Sequence, residues 1–479
     1  MKNNLDRLTA IALALFIQTG GAYAVTFTSD AFIGVNDDSD DGLDIIVTNC
    51  TLTVDGDHAF NSLQVLNGGA LTHSFSTNGL LEYMVLDSSE AHVISSTNPA
   101  ALDNTNADTN SIVVTDDSGG ITYTAGSDYL ITVSNQFTQL ELTTNSAIAD
   151  GATVLVSYNW TETLNAGFRL VITNDAQIAI GGIINVSSKG CGGGHGIFGG
   201  AGAGVTNSLY SSSVGSGGGH GGLGGISSMH AAGGASYDSF TIPTNVGSGG
   251  GDGADLGGAG GGSAQLLVGG ALQVDGQILA DGMNATNPLA GGGAGGSIFI
   301  SAQTISGAGK ISANGGAGEP SDGGGGGGGR IAIYFETNQF TGSLSAFGGA
   351  GYVAGGAGTI YTESFTNVPG TLLIANNGIA HGDFGGANTL LDLAAVGINY
   401  PRLIVAGSAI VQPSSSALIH LASLYVGSNS WLTVSAQTML ACTVDGDATI
   451  ESNALINLDF KGYPARTGPG AGGTTAIVG

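Results

Sequence analysis

Apolar and polar residues alternate with a period of two through most of this chain. Typical runs are Ile298-Phe299-Ile300 and Ile331-Ala332-Ile333, and each is followed by a turn and a second short run such as Lys310-Ile311-Ser312-Ala313. Alternation with period two places successive side chains on opposite faces of a β-strand. After the N-terminal segment, the apolar residues show no helical spacing. The pattern therefore predicts an all-β protein.

The two-strand unit recurs in tandem. Three copies have the same order of strand, turn and second strand: GGSAQLLVGGALQVDGQILADG, GGSIFISAQTISGAGKISANGG and GGRIAIYFETNQFTGSLSAFGG. Their equivalent glycines Gly282, Gly315 and Gly348 are 33 residues apart. Related units lie at residues 52–73, 168–190 and 440–462. One such unit cannot bury its own apolar face, whereas stacked copies shield one another. We therefore expect a right-handed parallel β-helix, that is a β-solenoid, with Gly-rich loops.

Glycine crowds the loops between these strands, and seven glycines, Gly323 to Gly329, stand directly before one strand. Gly adopts positive φ without strain and lets backbones approach closely, and the corner of a stacked coil needs both. Neighbouring Gly loops that hydrogen-bond to one another would share the entropic cost of ordering. We predict that the seven-glycine run is an ordered or partly ordered corner. Residues 190–260 are equally compatible with an ordered corner and a disordered excursion.

Between residues 74 and 165 the glycine content falls and the pattern becomes antiparallel. The stretch GGITYTAGSDYLITVSNQFTQLELTTNSAIADGATVLVSYNW has Gly-containing turns between alternating runs. We interpret it as a small sandwich-like β insert. The predicted organisation is a signal peptide (1–24), N-terminal solenoid coils or cap (25–73), the insert (74–165), Gly-rich solenoid repeats (166–365), and further coils ending in an incomplete Gly-rich repeat (366–479).

The charge balance and the N-terminus indicate where the protein acts. The net charge is −27, and the nine Lys and Arg residues form no cluster. Nucleic acid and anionic membrane surfaces are therefore excluded as partners. Lys2 and Arg7 precede the apolar stretch 8–17, and Ala22-Tyr23-Ala24 fits a cleavage site. We expect a secreted or cell-surface protein, with no transmembrane segment in the mature chain.

Several sequence segments resemble those of glycine-rich secreted and surface β-helix repeat proteins of environmental bacteria: TVDGDHAFNSLQVLNGGALTH, GGAGGGSAQLLVGGALQVDGQILADG, GGSIFISAQTISGAGKISANGG and GGGGGGGRIAIYF. The resemblance covers residues 40–73 and 166–365, with a further copy beginning at 459–473, so we expect a chain that ends within a repeat. It implies a secreted, surface-associated β-helical protein. It carries over no catalytic residues.

Calcium is the one cofactor that the sequence leaves open. Residues 250–257, GGDGADLG, match the first six positions of the calcium-binding frame GGxGxDxUx, with Asp255 as the carboxylate and Asp252 beside it. Such sites need consecutive copies, because each ion lies between two stacked turns, and here there is one partial copy. A second acidic stretch, DDSDDG at residues 37–42, has part of the EF-hand spacing. We interpret it as a solvated acidic turn before the strand 44–48, because Thr48 stands where the frame needs Glu.

Catalytic motifs are not visible in the sequence, and we predict a protein that is not an enzyme. No HExxH, nucleophile elbow or P-loop lysine occurs. Asp275, Asp281 and Asp445 stand in turns, where Asp bonds its own backbone. Arg330 stands where neighbouring repeats have serine, so we expect an exposed residue at a strand start.

Aromatic residues of the insert are the candidate ligand-binding residues. Tyr123, Tyr129, Tyr158 and Trp160 could form a platform for a sugar, or they could fill the core of the insert. The predicted function is a secreted structural or adhesive surface β-solenoid. Its expected partners are extracellular matrix, polysaccharide or a neighbouring cell surface. The alternative is a β-helical protein that binds polysaccharide or degrades it as a lyase or hydrolase.

Overall fold

The structure is a computed structural model, and it describes residues 23–76, 80–134, 137–194, 202–209, 212–366, 369–379, 387–392, 400–414, 418–464 and 467. Within these residues the chain is all-β, and most of its strands pair in parallel. The all-β prediction is therefore confirmed. The predicted signal peptide lies outside the described residues, except for Tyr23 and Ala24. None of the described helices is long and apolar enough to cross a membrane.

Short parallel strands form the N-terminal part. The strands are β1 (Ala24–Phe27), β2 (Ala31–Ile33), β3 (Asp44–Val47), β4 (Thr51–Val54), β5 (Gly56–Phe60), β6 (Ser62–Val65) and β7 (Ala70–Thr72). A 3-10 turn at Asp38–Asp40 precedes β3. The strands β1, β3 and β6 pair in parallel in one sheet, and β2, β4 and β7 do so in a second. Along β3 and β4 half-buried residues alternate with buried ones, so that every second side chain faces the core.

Antiparallel strands follow, within the range predicted for the insert. They are β8 (Leu80–Ile94), β9 (Ala100–Thr105), β10 (Val113–Asp116), β11 (Thr122–Tyr123), β12 (Tyr129–Ser134), β13 (Phe137–Leu142) and β14 (Ala152–Asn165). The sheets β11-β10-β14-β8 and β12-β13-β9 enclose an apolar core of their own. The exact boundaries 74 and 165 stay a prediction.

Parallel pairing resumes in the middle of the chain. The strands are β15 (Phe168–Ile172), β16 (Ala176–Ile178), β17 (Ile183–Asn185), β18 (Thr206–Leu209), β19 (Ser212–Gly215), β20 (Ser263–Val274), β21 (Gln277–Leu279), β22 (Ser297–Gly307), β23 (Lys310–Ser312), β24 (Arg330–Phe340), β25 (Ser343–Ser345) and β26 (Thr359–Ser364). Only β18 and β19 form a separate antiparallel pair among these. One parallel sheet contains β20, β22, β24 and β26, and the other contains β21, β23 and β25.

Four of the C-terminal strands continue the first sheet after one reversal, and the other six form two separate sheets. They are β27 (Thr371–Ala375), β28 (Thr389–Leu391), β29 (Arg402–Ala406), β30 (Ile410–Pro413), β31 (Ile419–Leu421), β32 (Ser423–Val426), β33 (Trp431–Thr433), β34 (Cys442–Val444), β35 (Ala448–Ile450) and β36 (Leu455–Asn457). The strand β27 pairs antiparallel with β26 and parallel with β29. A second apolar core runs beneath these strands.

The register of the middle strands follows the 33-residue repeat. Ile298 pairs with Ile331, and Ile311 pairs with Leu344. Equivalent residues of successive repeats are therefore neighbours, and Ile298, Ile311 and Ile331 are completely buried in one continuous core. Stacking covers the apolar face that a single repeat cannot cover alone.

Turn carboxylates and amides also connect successive repeats. The Asp281 carboxylate accepts the backbone N–H of Asn314 at 2.6 Å, and the Asn314 side-chain oxygen accepts the N–H of Phe347 at 2.8 Å, in both cases 33 residues along the chain. The Asp275 carboxylate accepts the N–H of Ala308 in the same way at 3.2 Å. The prediction that Asp275 and Asp281 serve their own turns was wrong, because these acids hold the next repeat in register.

The seven-glycine run is an extended, buried segment without strand pairing. Its N–H groups fall into three sets, and each set bonds a different neighbouring segment at a step of three residues: Gly324 and Gly327 donate to Gly215 and Gly218, Gly325 and Gly328 to Val353 and Gly356, Gly326 and Gly329 to Gly316 and Ala313. A polyproline II helix has three residues per turn and no internal hydrogen bonds, so its backbone groups point outward in three directions. The run therefore forms the centre of a glycine bundle. The run follows one defined, buried course, and the predicted ordered or partly ordered corner stays a prediction.

Several glycines between residues 190 and 260 also belong to the glycine bundle. Gly217 donates to the Gly225 carbonyl, and Gly218 donates to that of Gly292. A Cβ atom at Gly217 would lie 1.9 Å from the carbonyl oxygen of Gly325. Backbones packed this closely admit only glycine, as at the axis of the collagen triple helix.

A buried histidine connects two distant parts of the stack. His73 is fully buried, its Nδ1 lies 2.7 Å from the Ser74 carbonyl oxygen, and its Nε2 lies 3.3 Å from the backbone nitrogen of Ser263. A carbonyl can only accept and a backbone N–H can only donate, so Nδ1 carries the proton and Nε2 accepts. Burial lowers the pKa of His73 to about 4, although the hydrogen bond to Ser74 and the charge of Asp55 oppose this shift.

Acid is therefore expected to weaken the fold through His73. An unfolded histidine has a pKa of about 6.5, so below that pH the unfolded chain takes up a proton that the native chain excludes. The stability that neutral His73 supplies is complete above pH 6.5 and is lost as the pH falls to about 4. The loss is roughly 3 kcal/mol. Denaturant unfolding at several pH values measures it. His73→Gln keeps an acceptor and should flatten the slope in this window; an unchanged slope would contradict the assignment.

Candidate functional site

The four aromatic residues of the insert lie in or against its core. Tyr129 is 2% exposed and Tyr158 is completely buried. Tyr123 and Trp160 are half-buried and pack against the same core. The Tyr158 hydroxyl accepts hydrogen bonds from Asn104, and burial raises the pKa of Tyr158 to about 12.

A sugar-binding platform that includes Tyr129 and Tyr158 was therefore a wrong prediction. A buried ring cannot stack on a ligand, and the alternative role, filling the core of the insert, is the one that these two residues have. Aromatic residues supply large apolar area in either setting, so their presence in alternating strands did not distinguish the two.

The candidate calcium ligands close their own turn. The Asp252 carboxylate accepts the N–H of Gly257 at 3.2 Å, and the Asp255 carboxylate accepts that of Leu256 at 2.8 Å. A calcium ion at Asp252 and Asp255 stays a prediction. Across the described ranges, sets of three side chains close enough to surround an ion lie elsewhere: Asp38, Asp41 and His58, and Glu90, His92 and Asp103.

The acidic stretch 37–42 is the turn before β3 that the sequence predicts. Asp37 caps it, since its carboxylate accepts the N–H of Ser39 at 3.2 Å. Hydrogen bonding by the Ser39 side chain, and then by its backbone N–H, lowers the pKa of Asp37. The Asp41 carboxylate accepts the N–H of Ala59 in β5 at 3.2 Å. Crowding has the opposite effect on Asp40, where partial burial and then the charges of Asp37 and Asp41 raise the pKa.

Arg330 is buried, so the prediction of an exposed residue at a strand start was wrong. Only 5% of the residue is exposed. Its Nε donates to the Tyr237 carbonyl at 2.9 Å, and a terminal nitrogen donates to the Thr359 hydroxyl at 3.2 Å. Burial lowers the pKa of Arg330 to about 10, while the nearby negative charge of Asp238 opposes this shift. The covering segment lies 93 residues away in sequence, which is why the repeat pattern gave no sign of it.

Arg330 belongs to a row of buried polar residues at the strand starts. Pairing places Ser263, Ser297, Arg330 and Thr359 at one register position. The Ser263 hydroxyl donates to the Thr244 carbonyl at 2.9 Å, and the Ser297 hydroxyl donates to that of Asn245 at 2.6 Å. The row therefore holds the segment 237–246 across the stack. The recurring GGS, GGS, GGR at these starts was the available sequence signal.

Asp238 is the charged centre of that segment. Its carboxylate accepts the N–H groups of Thr244 and Asn245 at 2.9 and 3.0 Å, and lies 3.5 Å from the buried His220 ring. Burial acts to raise the pKa of Asp238, but the His220 contact and then the backbone hydrogen bonds from Asn245 and Ser239 outweigh it, and the pKa is lowered. Because hydrogen-bond donors surround this buried carboxylate, we assign it a structural role.

One open groove adjoins the end of the insert, beside Ala166 and Gly167. It has a volume of about 460 Å³, and its lining includes Asn36, Asp57, Arg169 and Gln265. An Arg169 terminal nitrogen lies 3.5 Å from an Asp57 carboxylate oxygen. Hydrolysis of a glycoside needs two carboxylates across a cleft, and Asp57 is the one carboxylate among the residues that line this groove. The groove thus offers polar contacts, but its lining supplies one of the two carboxylates that glycoside hydrolysis needs.

Comparison with models of protein families, with curated proteins and with solved structures finds no match to this chain. The resemblance to glycine-rich surface proteins of environmental bacteria stays a prediction.

Proposed function

We propose that this chain is a secreted structural or adhesive surface protein, built as a right-handed parallel β-helix and without catalytic activity. The observation that carries the proposal is the continuous parallel register of the middle strands, in which each repeat buries the apolar face of the next. Such a stack is rigid along its length because every repeat is fixed by its neighbours. Its action would be passive: to hold other segments at a surface.

The insert is the segment that we propose for recognition. The strand β15, which follows it, pairs directly with β5, which precedes it, so the insert is a lateral addition to the stack. Elaborations on a rigid scaffold commonly carry binding. The insert also exposes apolar side chains, among them Leu86 at 67%, Val93 at 60% and Val133 at 60%. The large net negative charge disfavours polyanions, so neutral polysaccharides are the proposed partners.

Bead adhesion tests the proposed function. Beads coated with the protein are placed on cellulose, xylan and agarose, and retention is measured under flow. We expect a double variant, Leu86→Ser with Val93→Ser, to lose most of the retention, because its exposed apolar contacts are removed. The matched control is Ile180→Ser, since Ile180 is 78% exposed but lies outside the insert. Equal retention of the two variants would contradict a binding role for these residues of the insert.

A polysaccharide lyase is the second candidate, and the pairing of Asp57 with Arg169 in the groove favours it. A lyase needs a base close to a cation that stabilises the developing anion. Release of unsaturated or reducing sugars from the same polysaccharides measures this activity. We expect no release above the protein-free control. Release that Asp57→Asn abolishes would replace the structural proposal with the enzymatic one.

A further inference from the structure

Three potential metal ligands converge where the acidic turn 37–42 lies against β5. One atom each from the Asp38 and Asp41 carboxylates and the His58 ring lies within 4.8 Å of the others. Asp38 is exposed, Asp41 is half-buried and His58 is buried. The turn is fixed in place because the Gly42 N–H donates to the Ala59 carbonyl at 2.7 Å. Exposed acidic groups are common without an ion, and the buried His58 ring is what distinguishes this turn.

One ring nitrogen of His58 faces a carboxylate. Its Nε2 lies 3.1 Å from the Asp55 carbonyl oxygen, which can only accept, so Nε2 carries the proton. In the neutral ring Nδ1 is then a bare lone pair. The His58 side chain is 0% exposed, and Nδ1 forms no hydrogen bond although it lies 3.4 Å from an Asp41 carboxylate oxygen. Two electron-rich atoms that face each other, one of them fully buried, call for a cation between them.

We propose that Asp38, Asp41 and His58 bind a divalent transition-metal ion of the zinc class. A tetrahedral zinc site with bonds of about 2.1 Å places its ligand atoms about 3.4 Å apart, which is the separation of His58 Nδ1 and Asp41 Oδ1. Small side-chain movement at the exposed Asp38 completes the set. Imidazole favours zinc, copper, iron or nickel over calcium, which takes oxygen ligands.

The surroundings suit a metal ligand. Histidine ligands commonly donate their second ring N–H to a carbonyl or carboxylate, which fixes the tautomer, and the Asp55 carbonyl has this role for His58. Two carboxylates balance the charge of a divalent ion. A solvent molecule would take the fourth position, on the exposed side at Asp38. The ion would tie the acidic turn to the first strands of the stack.

Zinc binding to the full-length protein tests this site. The protein is treated with a chelator, dialysed, and titrated calorimetrically with zinc chloride alone. We expect Asp38→Asn and Asp41→Asn each to weaken zinc binding at least about tenfold, the usual lower limit for disturbing a metal site. Asp40→Asn is the matched control, since it removes the same charge from the same turn but no ligand, and it should change the affinity less than about threefold.

Two outcomes would overturn the proposal. One is that wild-type protein binds no zinc, or binds it with an affinity that Asp41→Asn leaves unchanged. The other is that Asp40→Asn weakens binding as much as Asp41→Asn, since binding would then follow the overall charge of the turn. Circular dichroism of the three variants checks that each keeps its β structure, which the exposure of the turn leads us to expect. The alternative is that a proton on His58, and not a metal ion, lies between His58 and Asp41. That alternative predicts the first of these two outcomes.

Discussion

Gly326→Ala is expected to prevent folding or to destabilise the protein by about 4 kcal/mol or more. The new Cβ would lie 2.0 Å from the carbonyl oxygen of Gly293 and 2.6 Å from its carbon. Gly293 cannot yield easily, since its own N–H is bonded to the Met283 carbonyl. Soluble yield and the midpoint of denaturant unfolding measure the effect.

The control for this substitution is Gly462→Ala. A Cβ at Gly462 meets no atom within 4 Å, and its φ is not in the left-handed region. Surface changes of this kind usually alter stability by less than about 0.5 kcal/mol. Equal unfolding midpoints for the two variants would mean that Gly326 is not packed against Gly293.

Arg330→Ala is expected to cost about 3–5 kcal/mol, the usual effect of breaking a buried charged network from one side. It removes the donors to the Tyr237 carbonyl and the Thr359 hydroxyl and leaves a cavity. It also removes the positive charge near the buried Asp238. Denaturant unfolding measures the loss, and limited proteolysis should show earlier cleavage within residues 237–246.

Arg402→Ala is the matched control for Arg330. Arg402 also begins a strand, but it is exposed and donates to the Pro369 carbonyl at 3.2 Å. We expect it to cost less than about 1 kcal/mol. If the two substitutions have equal effects, Arg330 does not hold the segment 237–246.

Strand positions and their register were within reach of the sequence. Alternation fixes which side chains face the core, and a 33-residue step implies that equivalent residues are neighbours, as Ile298 and Ile331 are. The turn acids were placed correctly but given the wrong partner. A turn in one repeat looks the same in sequence whether its carboxylate bonds its own backbone or that of Asn314 in the next repeat.

The arrangement of the glycines was beyond prediction for a different reason. Seven successive glycines are indistinguishable in sequence, so the sequence cannot predict which N–H points toward which neighbouring segment. The three sets around Gly326 arise from the segments that surround the run, one of which reaches it from Gly215 and Gly218. Their contacts depend on tertiary packing, and sequence could predict only that Gly allows close approach.

The candidate site residues also differ in how far the sequence could predict their roles. The aromatic residues of the insert were found but could not be assigned to core or surface, because burial depends on which strands pair. The roles of Arg330 and His58 depend on residues that are distant in sequence. Arg330 contacts Tyr237, and His58 in β5 faces Asp41 in the turn before β3. Neither spacing matches a known motif, so proximity in the fold is the only signal.

Hydrogen exchange of the Gly323–Gly329 amides tests whether the glycine-rich segments form part of the ordered core. Each N–H of Gly324 to Gly329 is bonded to a carbonyl of another buried segment. Native-state exchange, followed by mass spectrometry on peptides covering residues 321–335, should therefore show protection comparable to that of Ile298–Ile300 in β22. If the glycines instead exchange at the rate of an unstructured peptide, and protection is confined to the strand that starts at Arg330, the glycine run is not part of the ordered core.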